Sequence, residues 1–164
     1  LWAANGPIFG GAKPVPVDPR NFRHYRRGDI IVSLAGVATN AALALLMAFL
    51  IVPFGVAGQQ IPALETTFAI LQRMALTGVT INLFLALFNL LPIPPLDGSH
   101  VLKHLLPAPL ARWYVQVGRF GFVLLMALLW FGRGVLLWWM SPAVWASQRL
   151  GRMVTPFLLF GGGG

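Results

Sequence analysis

Asp97 ends the stretch Asn89-Leu90-Leu91-Pro92-Ile93-Pro94-Pro95-Leu96-Asp97-Gly98 and is one of only four acidic residues in 164. Apolar sequence borders it on both sides, and an ionisable group in such a setting is expensive enough to make a functional role the default hypothesis. Three prolines in four residues break the preceding helix. At membrane depth, irregular backbone is tolerated only where it is buried in protein or lines a wet cavity. A carboxylate held at such a break could be a metal ligand or a proton carrier. The bland alternative is a carboxylate capping a helix that starts near Gly98, where the helix dipole favours negative charge. His100 and His104 follow at three and seven residues, which places all three on one helix face and raises a possible Asp97/His100/His104 zinc site. Against that stands a reading in which both imidazoles sit at the interface beside Lys103. Glu65 is the only glutamate; Asp18, Asp29 and His24 fall in an Arg-rich stretch, where the neighbouring charges favour ionised carboxylates and a solvated imidazole.

The elements that must position these residues are those of a membrane protein. Hydrophobic residues make up 57% of the chain and charged residues 10%, against roughly 25% charged in an average soluble protein. Mean hydropathy is +0.75. The net charge of +8 sits in clusters between apolar runs, a pattern of membrane topology rather than of a nucleic-acid-binding face. The absence of cysteine excludes disulfides and thiolate metal sites. Length suggests one domain.

Residues 1–29 read as a basic, Gly- and Pro-rich loop at the membrane surface. Ile30 to Val52 carries no charge, and 23 residues make about 34 Å of helix, enough to cross a hydrocarbon core of about 30 Å. Its first half is rich in small residues that allow close helix approach, with Asn40 among them. Pro53 to Thr67 reads as a short connection. A second span is expected from about Phe68 to Leu91, with Gly78, Asn82 and Asn89 on one polar face turned toward protein. A short helix from Gly98 to about Leu106 follows, then a third apolar stretch from Trp113 to Gly132 containing Arg119. The Trp-rich region 133–164, broken by Pro142, reads as interfacial or re-entrant. The expected architecture is therefore an all-α integral membrane protein: a surface loop (1–29), a membrane core (30–132) and an interfacial C-terminal region (133–164). The stretch before the first span holds five basic residues, the loop between the spans none, and 92–119 three (Lys103, Arg112, Arg119). The positive-inside rule then puts Asp97 at the cytoplasmic end of the second span and Glu65 on the opposite side.

The proline-rich motif resembles the second signature of the site-2 protease family, the intramembrane zinc metallopeptidases. Ser33-Leu34-Ala35-Gly36-x-x-x-Asn40 is similar to that family's Ala-Gly-Pro-x-x-Asn stretch, with Val37 where proline is usual. Lys13-Pro14-Val15-Pro16-Val17-Asp18-Pro19-Arg20-Asn21-Phe22 looks like the loop that precedes it in many bacterial members. The three matches occur in the family's order and cover roughly residues 6–106. The resemblance implies zinc held by an aspartate at Asp97 and by two histidines of an HExxH helix whose glutamate activates the attacking water. It implies that Asn89 orients substrate or stabilises the oxyanion, with Asn40 and Asn82 as supporting polar residues. The partners implied are the lipid bilayer and a transmembrane or membrane-proximal protein substrate, at the bacterial cytoplasmic membrane.

No His-Glu pair occurs in the chain, so it supplies one of the three expected ligands and by itself should not hydrolyse peptides. Three readings follow. In the first, the chain is the C-terminal part of a site-2-type protease whose HExxH helix lies upstream of Leu1. The second is a catalytically inactive membrane scaffold, and the third a small metal-binding membrane protein or transporter built on Asp97, His100 and His104.

Overall fold

Gln72 lies in the middle of an otherwise apolar layer and is completely buried, with 0% of its surface exposed. Its side-chain amide donates to the Ile51 carbonyl (2.9 Å) and the Phe157 carbonyl (2.9 Å) and accepts from the Leu159 backbone N–H (3.0 Å). One side chain thereby ties together three parts of the chain that are far apart in sequence. The computed structural model describes residues 25–159. These form six helices and two single 3-10 turns, with no strand among the described residues. The helices are α1 (Tyr25–Gln60), α2 (Glu65–Asn89), α3 (Asp97–Leu105), α4 (Ala108–Gly118), α5 (Gly121–Phe131) and α6 (Arg133–Val154). The turns are Pro62–Leu64 and Thr155–Phe157.

Helices α1 and α2 form a hairpin, and both are long and apolar enough to cross a membrane. The chain is an all-helical integral membrane protein. The first span is longer than the uncharged run: α1 starts at Tyr25, inside the expected surface loop, and runs through Pro53 to Gln60, over most of the expected connection. Tertiary packing explains the C-terminal extension. Gly55 lies so close to the Phe157 carbonyl that any side chain there would collide with it. The last turns of α1 thus form the wall against which the C-terminal segment is pinned by Gln72. Ile51, Ala75, Val79 and Val154 make the apolar core beside this knot.

Pro142 does not break the C-terminal region, which is one helix of 22 residues. A proline at 142 removes the donor that the Trp138 carbonyl would use in a helix. The Ser141 hydroxyl, at 2.7 Å, donates to that carbonyl instead, and such side-chain rescue is how proline is accommodated in membrane helices. Helix α6 runs antiparallel to α2, from Trp139 beside Leu87 to the Gln72 contacts after Val154. The stretch from Trp113 to Gly132 is divided into α4 and α5, which meet at 79° around Arg119 and Phe120. Together they amount to a third span only as a bent pair; α5 alone, at 11 residues, is about 16 Å long. The loop motif Lys13–Phe22, with Asp18 and His24, and the C-terminal glycines lie outside the described residues.

Replacing Gln72 with leucine keeps the volume but strands two carbonyls and an N–H, at about 1–3 kcal/mol for a buried unsatisfied group. The Gln72→Leu variant is expected to denature at a lower midpoint in detergent micelles. Release of the segment after Val154 should show as faster amide exchange at Leu158 and Leu159.

Candidate functional site

The end of α2 is shaped by backbone groups that can no longer bond within the helix. The Leu91 N–H turns back to the Phe88 carbonyl (3.0 Å), which frees the Leu87 carbonyl, and the Trp139 indole of α6 donates to it at 2.8 Å. The chain then turns at Ile93–Leu96, closed by the Leu96 N–H on the Ile93 carbonyl (2.9 Å), with a cis Pro94–Pro95 peptide inside. Tyr114 of α4 donates its hydroxyl to the Pro92 carbonyl (2.9 Å). Gly121, at the start of α5, fits against the Pro94 carbonyl with no room for a side chain. That contact gives the sharp bend between α4 and α5 a physical reason. Leu91 and Leu96 are buried with Leu125 of α5 and Met140 of α6 in a second apolar core. The motif loop is thus held by three surrounding helices.

Gly98 completes the turn. A side chain at this position would collide with the Leu90 and Leu91 carbonyls, so the first turn of α3 packs directly on the end of α2. This places Asp97 as the first residue of α3 with its carboxylate beside α1. A Cβ built on Gly36 would lie 3.3 Å from the Asp97 Oδ2, and Gly36 itself is exposed, so the carboxylate sits at an open edge of α1. The two sequence motifs, Ser33–Asn40 and Asn89–Gly98, meet at this contact. Asp97 is half-buried, and no side-chain hydrogen bond caps α3. The capping alternative keeps its electrostatic half, since Asp97 lies in the first turn of α3 where the helix dipole favours its charge, but it gains no capping hydrogen bond. Burial pushes its carboxyl above the ordinary carboxylate range, and the charge of His100 only partly opposes this.

Asn89 is the last residue of α2 and is half-buried at the mouth of the loop, eight residues before Asp97. Asn82 faces α1: its amide donates to the Gly78 carbonyl at 2.9 Å and lies 4.0 Å from the Met47 sulfur, while Met47 packs onto Gly78. Asn40, half-buried on α1, is one turn beyond Gly36 and so on the same face. Glu65 begins α2, about 36 Å of helix away from Asn89, and takes no part in the site.

The structure does not assemble Asp97, His100 and His104 into a metal site. Both imidazoles turn to Asp29 on α1, with His104 Nε2 at 2.7 Å and His100 Nδ1 at 3.3 Å, and Lys103 Nζ joins them at 2.8 Å. Among the described residues, no group of three or more His, Cys, Asp or Glu could hold a metal ion. The shared helix face was legible in the spacing. Its partner was not, because Asp29 lies 71 residues before His100 and sits on the first turns of α1 rather than in a loop. Trp139 and Tyr114 likewise carried no local signal; their role appears only when α6 and α4 fold back over the proline turn. A cavity of about 530 Å³ between α2 and α6 is lined by residues such as Phe84, Phe88, Leu137 and Met140 and presents no acid, base or ligand.

The family model described as Peptidase family M50 matches residues 53–129, which include the whole proline-rich motif. The match supports the resemblance to this family, the site-2 proteases. The chain is 36% identical over 120 residues to a Bacillus subtilis protein named "Putative zinc metalloprotease YwhC", an alignment covering 73% of this chain and 54% of that protein. It is 43% identical over 72 residues to "Putative zinc metalloprotease MJ0611" of Methanocaldococcus jannaschii, covering 44% of this chain and 32% of that protein. The chain thus spans about half the length, or less, of these relatives. No solved structure matches.

Because the ionised Asp97 is disfavoured by burial, the metal-free fold carries a penalty at neutral pH that fades as pH falls through the raised value. The neutral Asp97→Asn variant should therefore be at least as stable as the wild type at pH 7 in the presence of a chelator. That advantage should disappear in acid, where both side chains are uncharged, as read from denaturation midpoints across pH. Gly98→Ala is expected to do the opposite, lowering the midpoint at every pH by forcing α3 away from the Leu90 carbonyl.

Proposed function

We propose that this chain is the part of a site-2-type zinc metalloprotease that carries the aspartate ligand and the substrate-orienting asparagine, acting on peptide bonds in or near the membrane. The observation that carries this reading is the carboxylate of Asp97: partly desolvated, without a capping hydrogen bond, and set on a rigid proline turn at an open edge of α1. Leaving a charged group in that state costs stability, and a cation beside it offsets the cost. A hard oxygen donor suits zinc as one of three protein ligands in a catalytic site, the fourth position staying open. The resemblance assigns the other two ligands and the base to an HExxH segment; with no His-Glu pair in these 164 residues, those groups come from outside them. The zinc metalloprotease names of the relatives support the same chemistry.

Zinc bound there supplies Lewis acidity for attack of water on a peptide carbonyl. The residues of this chain have three tasks. Asp97 would hold the metal through its ionised carboxylate. Asn89, eight residues before it at the end of the broken helix, offers an amide N–H to the carbonyl oxygen that gains charge, the kind of donor that stabilises an oxyanion. The turn itself matters for substrate as well. A helical peptide bond is shielded by its own hydrogen bonding, so a substrate helix has to unwind locally, and the polar amides at this end of α2 provide replacement partners. The excess of basic residues flanking α1 and α3 supports a cytoplasmic location for this end of the bundle. The third possibility, a local site on His100 and His104, is disfavoured because Asp29 and Lys103 occupy those imidazoles.

In the full-length protein, Asp97→Ala is expected to lose stoichiometric zinc and to abolish cleavage of a transmembrane reporter. Asn89→Ala should retain zinc while losing about a hundredfold in turnover, the usual cost of deleting one oxyanion donor. Metal analysis of the purified variants beside the cleavage assay separates the two roles. Normal cleavage by Asp97→Ala would refute the ligand assignment.

A further inference from the structure

Helix α3 carries Asp97 on its first residue, and that end packs on the end of α2 through Gly98; among the described residues, no side-chain hydrogen bond joins the Asp97 carboxylate to α1. The Asp97 Oδ2 lies 3.3 Å from where a Cβ on Gly36 would stand, which brings a partly desolvated acid toward α1 with no hydrogen bond from that helix. A nine-residue helix also has little stability of its own. Its polar attachment to α1 lies at the other end. Lys103 Nζ and His104 Nε2 reach Asp29 Oδ2 at 2.8 and 2.7 Å, and His100 Nδ1 reaches Oδ1 at 3.3 Å. Positions 100, 103 and 104 share one face of α3, and an ionised carboxylate has lone pairs enough to accept from all three. The side chains of Asp29, His104 and Lys103 are 18%, 13% and 22% exposed, so these three are shielded beyond an ordinary surface ion pair, while His100, 43% exposed, sits at the open edge of the cluster.

The two contacts are in register. Asp29 to Gly36 is seven residues along α1, and Asp97 to His104 is seven residues along α3. Asp29 meets His104 and Gly36 meets Asp97, so α3 lies antiparallel to α1 with two fixed points two turns, about 10.5 Å, apart on each helix. Two points on one face define both the rotation and the axial position of a helix. Only the Asp29 point is attractive.

We propose that Asp29 is a positioning residue for Asp97: by gathering Lys103, His104 and His100 it fixes the register of α3 on α1 and so holds the Asp97 carboxylate over Gly36. The inference rests on the reading of Asp97 as a zinc ligand for its functional consequence, but the clamp itself is a statement about α3. Partners that orient a ligand without touching the metal typically change affinity by about 10–100-fold.

The experiment uses the full-length protein in detergent and two readouts. Amide hydrogen exchange of the chelator-treated protein reports α3 directly, and competition with a chromogenic chelator reports zinc affinity. In Asp29→Ala, the Gly98–His104 amides should exchange faster while those of α2 around Ala75 and Val79 stay protected. Zinc affinity should fall at least about tenfold. Asp29→Glu, which restores the carboxylate, should recover most of both. Wild-type exchange in α3, or wild-type zinc affinity with α3 loosened, overturns the proposal. Should Asp29→Ala fail to fold, Lys103→Met and His104→Phe each remove one donor, and unchanged exchange and affinity in both overturn it equally. A wild-type protein that binds no zinc sinks the ligand reading of Asp97 instead, while the exchange data still decide whether Asp29 clamps α3.

Discussion

A backbone that leaves its helix inside a membrane must find new partners for its N–H and C=O groups, and most of this structure answers that constraint at the end of α2. Prolines 92, 94 and 95 force the departure. The Leu87 carbonyl is taken by the Trp139 indole, the Pro92 carbonyl by the Tyr114 hydroxyl, and the Leu91 N–H by the Phe88 carbonyl. Helices α4 and α6 are thus required by the loop, and α5 packs its first glycine against Pro94. The outcome is a turn with little freedom, and under the proposed ligand role for Asp97 such a turn would keep its carboxylate in one place.

The same logic recurs at two quieter positions. Pro142 would orphan the Trp138 carbonyl, and the neighbouring Ser141 supplies the missing donor. Gln72, an amide in an apolar core, has its acceptor oxygen and both of its donor hydrogens used by Leu159, Ile51 and Phe157. A fully satisfied buried amide specifies a single arrangement, whereas a half-satisfied one would cost more than an apolar side chain. It locks the C-terminal segment to the α1–α2 hairpin at the end of the bundle away from Asp97.

Charge is used sparingly and in opposite ways. Asp29 is neutralised by three donors and contributes structure; Asp97 lacks such partners and bears a burial penalty. Both lie on the α1–α3 contact, seven residues apart on each helix. The satisfied acid holds the helix that presents the unsatisfied one. If Asp97 is the proposed ligand, this is the pattern expected where stability and activity compete.

The sequence by itself determined that this is an all-helical membrane protein and that the proline-rich motif ends its second span, and it singled out Asp97 as the acid set among apolar residues. These follow from local properties: uncharged runs long enough to cross a bilayer, proline's missing donor, and the cost of an acid among apolar residues. It also placed His100 and His104 on one face of α3, and Asn82 on the protein-facing side of α2. Which group those histidines face was decided by the tertiary structure, because the pairing with Asp29 joins helices 71 or more residues apart and leaves no periodic trace. The continuation of α1 past Pro53, the uninterrupted α6 and the bend at Arg119 were equally beyond local reading. The first and last depend on a close backbone approach supplied by another element, and α6 on the Ser141 hydroxyl beside its proline, whereas intrinsic propensity at proline or glycine predicts a break whether or not such a partner exists.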